Sequence, residues 1–117
     1  TQKEGLLVRS KSEVIIANML VEKGIEFEYE REFLGKNGQK RIPDFTFIDA
    51  AGDIVILEHL GMMSLPSYKA DWEKKLQFYK ENGYKIDENL FTTTESEKGG
   101  IDSLAIEEVI TKIEKMI

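Results

Sequence analysis

The chain of 117 residues contains no cysteine and only two prolines. The absence of cysteine excludes a disulfide framework and any metal site built on thiolates. No apolar run approaches the roughly 18 residues that a membrane-crossing helix needs, and no segment has the glycine-rich pattern of a phosphate-binding P-loop. We therefore expect a cytoplasmic protein that does not insert into a membrane, and any motor activity must reside outside this chain.

Positive charge is also scarce, because 16 lysines and arginines stand against 22 acids and give a net charge of −6. A protein that grips a nucleic acid unaided normally has a basic field. The basic residues nevertheless form three clusters: Arg9 and Lys11; Lys36, Lys40 and Arg41; Lys69, Lys74, Lys75 and Lys80. Such clusters become informative only where they surround a chemical site.

The length and the composition, 41% hydrophobic and 32% charged, fit one globular domain over residues 1–117. The sequence begins without methionine and ends inside a helical pattern, so we expect a domain excised from a larger protein. Its residue patterns predict an α/β fold with a helix, a three-strand antiparallel meander, a helix, a strand and a helix. In chain order these elements are predicted at 10–23, 26–33, 45–48, 54–57, 67–82, 90–93 and from Asp102 or Ser103 to Ile117.

Two of these predictions depend on apolar patterning. Val14, Ala17, Leu20 and Val21 recur at helical spacing and predict the buried face of the first helix. The strands at 45–48 and 54–57 are apolar on both sides, so helices should cover both faces of a mixed sheet.

The turn between these two strands predicts their register. Between Asp49 and Asp53 lies the three-residue loop Ala50-Ala51-Gly52. Its last residue, Gly52, tolerates the left-handed conformation required there. If Asp49 and Asp53 close the turn, Asp44 lies directly opposite Glu58. Like charges placed so are destabilising unless a cation compensates them.

A divalent cation is one interpretation of this pair, because Mg²⁺ and Mn²⁺ take one or two protein carboxylates together with substrate phosphate oxygens. The other interpretation is that both acids merely end their strands in solvent. A shift of the loop by one residue would place Asp44 and Glu58 on opposite faces of the sheet.

The pair belongs to a pattern that resembles the PD-(D/E)XK nuclease superfamily, which has the restriction-endonuclease-like fold. Pro43-Asp44, with Glu58 14 positions later at the end of the next apolar strand, matches its two-part signature. The predicted order of elements is similar to the core of that family over nearly the whole chain. The resemblance implies a Mg²⁺- or Mn²⁺-dependent deoxyribonuclease.

The chain departs from the family at Leu60, where a lysine is expected two positions after the catalytic acid. The string Leu57-Glu58-His59-Leu60-Gly61 instead resembles nuclease domains attached to superfamily 1 DNA helicases. In that subgroup the following helix is similar to the one that carries Tyr68, Asp71, Trp72, Lys75 and Tyr79 here. The resemblance implies DNA as substrate and a helicase motor, in the same or a partner chain, as partner.

The resemblance further implies that Asp44 and Glu58 hold the metal and that the backbone carbonyl of His59 adds a ligand. Without the usual lysine, another cation must stabilise charge on the attacked phosphate. Lys75 and Tyr79 lie on one face of the second predicted helix, so we predict that both reach the site.

Four side chains keep a structural interpretation beside the catalytic one. Tyr79 would simply bury its helix, and Lys75 would pair with Asp71. Glu13 fits the capping box that starts at Ser10, whereas the resemblance places an acid there beside the metal. The ring of His59 should point away from Glu58, where packing or a hydrogen bond is expected rather than general-base duty.

Three interpretations of the function follow. The first is phosphodiester hydrolysis in DNA by a nuclease domain acting with a helicase. The second is a nuclease-like fold without catalysis that holds DNA or docks a protein, an interpretation that Leu60 favours. A third is an unrelated α/β interaction domain in which the resemblance is coincidental.

Overall fold

The computed structural model describes residues 11–61, 64–95 and 102–117. The helices and strands, in chain order, are α1 Lys11–Glu22, β1 Glu28–Tyr29, β2 Phe33–Leu34, β3 Lys40–Arg41, β4 Phe45–Ile48, β5 Ile54–Leu60, α2 Pro66–Glu81, β6 Leu90–Thr94 and α3 Ser103–Met116. Among these residues, none of the helices combines the length and apolar content needed to cross a bilayer.

The main sheet has four strands in the order β1-β4-β5-β6. The pairs β1–β4 and β4–β5 are antiparallel, and β5–β6 is parallel. The strands β2 and β3 form a separate two-stranded ribbon. The chain is therefore an α/β protein with a mixed sheet, as its sequence pattern predicts.

The central hairpin has the predicted register, in which Ile48 pairs with Ile54 and Phe45 pairs with Leu57. Asp49 stabilises the turn because its Oδ1 atom accepts hydrogen bonds from the backbone N–H groups of Ala51 and Asp53. Gly52 has a φ of +86°, the conformation for which glycine is required. The pairing ends at Phe45 and Leu57, so Asp44 immediately precedes β4, and Glu58 follows Leu57 within β5.

The predicted strand at 26–33 is wrong as a single element. Glu30 adopts a φ of 55°, which ends β1 and turns the chain away from β4. The ring of Tyr29 packs on Phe45 on one side of the sheet, whereas the ring of Phe33 packs on Phe78 on the other side. One straight strand would have placed Tyr29 and Phe33 on the same side, so the chain breaks between them.

Two apolar cores cover the two faces of the sheet, as the double-sided apolar strands predict. On one face α1 and α3 pack against Phe45, Phe47, Val55, Leu57 and Phe91. On the other face α2 packs against Ile56, Leu60 and Leu90. Residues that alternate along β5 thus belong to different cores.

The predicted apolar face of α1 is wrong in part. Ala17 and Leu20 are buried, but Val14 and Val21 are exposed, and Ile16 is buried instead. The helix is apolar at most positions, so spacing alone does not select which side packs. At the start of α3 the prediction is confirmed, because Asp102 is the N-cap and accepts a hydrogen bond from the Ala105 N–H at 3.1 Å.

Candidate functional site

A pocket of about 810 Å³ lies beside the start of β4, the end of β5 and the helix α2. Charged side chains of both signs line it. They are six acids and four bases: Glu13, Glu30, Asp44, Glu58, Asp71 and Glu95; Lys40, Arg41, Lys74 and Lys75. An anionic ligand and a cation could therefore be accommodated side by side in it.

Asp44 and Glu58 form the acidic centre of this pocket. The Asp44 Oδ2 atom accepts a hydrogen bond from the backbone N–H of His59 at 2.8 Å, which fixes its carboxylate across the mouth of the hairpin. Glu58 is only 3% exposed. Burial, and secondly the charge of Glu58, raise the pKa of Asp44 to about 7. The two carboxylates thus repel each other, as the register predicts.

The helix α2 supplies two hydrogen bonds to Glu58. Lys75 Nζ lies 2.7 Å from Glu58 Oε2, and the Tyr79 hydroxyl donates to the same oxygen at 2.5 Å. Lys75 Nζ also donates to the backbone carbonyl of Ile42 at 2.9 Å. Both side chains reach the site from one helical face, because they are four residues apart. The alternative pairing of Lys75 with Asp71 is not the one observed.

Tyr79 is fully buried, and burial followed by the charge of Glu58 raises the pKa of its hydroxyl. The hydroxyl therefore stays protonated and remains a hydrogen-bond donor to Glu58. Lys75 differs because its side chain is 24% exposed. Its ammonium is thus accessible from the pocket while it contacts Glu58.

Leu60 occupies the same side of β5 as Glu58, two positions along the strand. It is 7% exposed and packs in the apolar core that includes Trp72. The position at which the resemblance expects a lysine is therefore apolar. The ammonium group beside Glu58 comes from Lys75 on α2.

His59 points its ring to the opposite side of β5, as predicted. The ring Nδ1 atom lies 2.8 Å from the Thr93 hydroxyl, and within the described part of the chain its buried Nε2 atom has no hydrogen-bond partner. Burial lowers the pKa of this ring, against the smaller opposing effect of Glu95. The His59 carbonyl accepts a long hydrogen bond, 3.5 Å, from the Tyr68 hydroxyl. A metal-ligand role for that carbonyl stays a prediction.

Glu13 lies in the same pocket and is buried. Its Oε1 atom accepts a hydrogen bond from the Tyr29 hydroxyl at 2.5 Å. The negative charge of Glu13 also contributes to the raised pKa of Asp44. The predicted capping partner, Ser10, lies outside the described residues, so the capping box remains untested while proximity to Asp44 is observed.

A set of donors for a divalent cation must combine side chains and backbone here. Within residues 11–61, 64–95 and 102–117, no three histidine, cysteine or acidic side chains are close enough to hold a metal by themselves. Asp44 and Glu58 offer two hard oxygen ligands, and the His59 carbonyl would be a third. Mg²⁺ and Mn²⁺ suit such a set, because they retain several waters.

Arg41 was not predicted as a site residue. It lines the pocket, and its guanidinium carbon lies 5.7 Å from the centre of the Phe78 ring. In the sequence it appears only as one member of a basic cluster near Asn37-Gly38. The signal that could have singled it out is its place immediately before Ile42-Pro43-Asp44, which brings it to the start of β4.

No protein-family model matches this chain, and no solved structure matches it. It is similar to an uncharacterized protein of Methanocaldococcus jannaschii, with 39% identity over 85 residues. The match covers 70% of this chain and 7% of that protein. The chain therefore spans only a small part of the length of this relative.

Proposed function

We propose that the chain is a metal-dependent nuclease domain that hydrolyses phosphodiester bonds in DNA and acts with a helicase motor. The observation that carries the proposal is the neighbouring carboxylates of Asp44 and Glu58 in an open pocket, with Lys75 Nζ 2.7 Å from Glu58. Two carboxylates and a cation at one site are the groups that metal-assisted phosphodiester hydrolysis requires. The α/β topology, with helices on both sheet faces, supports a restriction-endonuclease-like fold.

Asp44, Glu58 and the His59 carbonyl would hold Mg²⁺ or Mn²⁺ in this proposal. The bound metal would supply an activated water and polarise the phosphate. Asp44 is orientated for this role by the backbone N–H of His59, and Glu58 by the hydroxyl of Tyr79. A cation would also relieve the repulsion between the two acids.

Lys75 takes the place of the lysine that the family pattern expects at Leu60. Its ammonium lies beside Glu58 and is partly exposed to the pocket, so it can stabilise negative charge that develops on a phosphate. Tyr79 is a positioning residue, because its hydroxyl donates to Glu58 and stays protonated. Glu13 is buried near the acids and would help to position the water of the metal.

The helicase partner rests on the charge of the chain and on its relative. A net charge of −6 disfavours independent capture of DNA, so a motor that delivers the strand would supply what this domain lacks. The match to 7% of a much longer protein is compatible with a module that works within a larger assembly.

The first test is cleavage of labelled single-stranded and duplex DNA with Mg²⁺, Mn²⁺ or EDTA. We expect metal-dependent cleavage that Asp44→Ala abolishes and that Lys75→Ala reduces at least about 100-fold, the usual cost of removing a group that stabilises transition-state charge. Lys80→Ala is the matched control, because Lys80 is exposed on the same helix and does not line the pocket. Equal cleavage by wild type and Asp44→Ala would contradict the proposal.

A nuclease-like fold that holds DNA or docks a protein without cleaving is the second candidate, and the apolar Leu60 favours it. The double variant Lys75→Ala with Leu60→Lys separates the two. If the site is catalytic, a lysine at position 60 should restore part of the cleavage that Lys75→Ala removes, because Leu60 lines the same pocket. DNA binding without cleavage by wild type, in the presence of its motor and either metal, would favour the holding module.

A further inference from the structure

Arg41 is a cation without a carboxylate partner among the described residues. This is notable in a chain where acids outnumber bases by 22 to 16. Its Nε atom is buried and has no hydrogen-bond partner in the part of the chain that the structure describes. Its guanidinium carbon lies 5.7 Å from the centre of the Phe78 ring, within the range of a cation–π contact. The group is thus held in place without being neutralised.

The ribbon formed by β2 and β3 carries Arg41 and is fastened to α2. Gly35 lies so close to Phe78 that an added Cβ would be 2.6 Å from the Cε1 atom of that ring. Asn82 Oδ1 accepts a hydrogen bond from the Lys36 N–H at 2.7 Å. The ring of Phe33 stacks edge-on against Phe78 at 5.8 Å. These contacts fix the ribbon, so the position of Arg41 is preorganised.

Arg41 also lies close to the acidic centre. It lines the same pocket as Asp44 and Glu58, and its charge acts on Tyr79, whose hydroxyl donates to Glu58. Lys40 and Lys74 line the same pocket, and Lys40, Arg41 and Lys74 are together called the basic wall. A phosphate placed at Asp44 and Glu58 would therefore have its neighbours along the strand within reach of this wall.

We propose that Arg41 binds a phosphate group of the DNA strand next to the phosphate on which Asp44 and Glu58 act. The inference deepens the proposed function and rests on it for the identity of the strand. An arginine presents paired N–H donors in one plane, which match two oxygens of a phosphate. The cation–π contact with Phe78 holds the guanidinium beside the pocket, and no carboxylate among the described residues occupies its donors.

The test is binding of a fluorescein-labelled single-stranded oligonucleotide, followed by fluorescence anisotropy in Ca²⁺ at about 50 mM salt, where phosphate contacts contribute strongly. We expect Arg41→Gln to weaken binding about tenfold and to reduce the slope of affinity against salt by about one phosphate contact. Lys112→Gln on α3 removes the same charge outside the pocket and should change affinity less than about twofold. Arg41→Lys, which keeps the charge but not the paired donors, should lie between them.

The outcomes distinguish this inference from the nuclease proposal. Equal affinities of Arg41→Gln and Lys112→Gln overturn the inference and leave cleavage as a separate question. Weaker binding by Arg41→Gln, with no cleavage by any form in the presence of the motor and either metal, supports the phosphate site and contradicts the nuclease proposal. Wild type that fails to bind the oligonucleotide overturns the inference. Melting temperatures of all variants are measured alongside, and Arg41→Lys provides the comparison if Arg41→Gln is destabilised.

Discussion

Asp44 illustrates at the scale of one residue how a site conflicts with stability. Its carboxylate is partly buried and lies near the charge of Glu58, so ionisation is unfavourable in the folded chain. In the unfolded chain the same group is solvated and separated from Glu58. Asp44 therefore opposes folding whenever it is charged and no cation is bound.

We predict that Asp44→Asn raises the free energy of unfolding by roughly 1 to 3 kcal/mol at pH 8 in EDTA. The asparagine oxygen can still accept the hydrogen bond from the His59 N–H, while the repulsion from Glu58 disappears. Urea denaturation of both proteins measures the difference. Asp71→Asn, at an exposed position of α2, is the control with the same change of charge.

The stability gained by Asp44→Asn should increase as the pH rises. The pKa of Asp44 is about 7 in the folded chain and 3.8 when unperturbed, so the folded state binds the extra proton. Wild type consequently loses stability as the pH rises from about 4 through about 7. The advantage of Asp44→Asn should be largest at pH 8 and vanish towards pH 4. A destabilised variant at pH 8 would refute this account.

The sequence predicts the residues of the acidic centre better than it predicts the basic wall. Asp44 and Glu58 are opposed because a short turn sets the register, which is a local property. Lys75 and Tyr79 share one face of α2 because helical spacing is also a local property. Arg41 depends on Phe78, 37 positions further along the chain. That contact exists only after the ribbon packs on α2, so no local sequence pattern predicts it.

At the scale of the element, the ribbon of β2 and β3 can pack on α2 because residue 35 is a glycine. An alanine at Gly35 would place its Cβ 2.6 Å from Phe78 Cε1 and 2.8 Å from Cζ, closer than real Cβ contacts come. The ring or the ribbon would have to shift. Because the guanidinium of Arg41 lies over the same ring, the shift would reach the pocket.

We predict that Gly35→Ala lowers the free energy of unfolding by about 1–3 kcal/mol, the usual cost of overpacking, and weakens oligonucleotide binding together with it. Urea denaturation and the anisotropy assay measure the two effects. Gly61→Ala is the comparison, since its Cβ would lie 3.7 Å from the Glu95 carboxylate, an ordinary contact. Equal stability of the two variants would show that the ribbon is not held tightly at Gly35.

The bounds of an element can be predicted from the sequence where its apolar pattern fits only one arrangement in the fold. The strand β4 was predicted at its observed bounds, whereas the predicted strand at 26–33 divides into β1 and β2. Its aromatic residues alternate correctly for one strand, but Tyr29 and Phe33 are needed in different cores. Tertiary packing therefore overrides the local pattern, and Glu30 takes the strained conformation that permits the break.

At the scale of the whole molecule, the excess of negative charge is unevenly distributed. The acids give the net charge of −6, yet Lys40, Arg41, Lys74 and Lys75 all line one pocket. A long polyanion would be disfavoured over much of the surface and would meet these four cations at a pocket that six acids also line. In the proposed function, this distribution would restrict a DNA strand to the path past Asp44 and Glu58.

The order of the helices and of the main-sheet strands along the chain can be predicted, because each helix and each long strand has its own apolar pattern. The arrangement of α1, α3 and α2 on opposite faces follows from strands that are apolar on both sides. The separate ribbon was not predictable in the same way. Its four paired residues carry too little apolar pattern to reveal which core they join.

The hairpin of β4 and β5 has a kinetic consequence. Asp44 and Glu58 lie at its open end, and the turn at Asp49–Asp53 lies at the other. If pairing spreads from the turn, the apolar pairs form first and the two carboxylates meet last. Their repulsion would then be absent from the folding transition state and present only in the finished structure. The repulsion would therefore raise the unfolding rate of the native protein and leave its folding rate nearly unchanged.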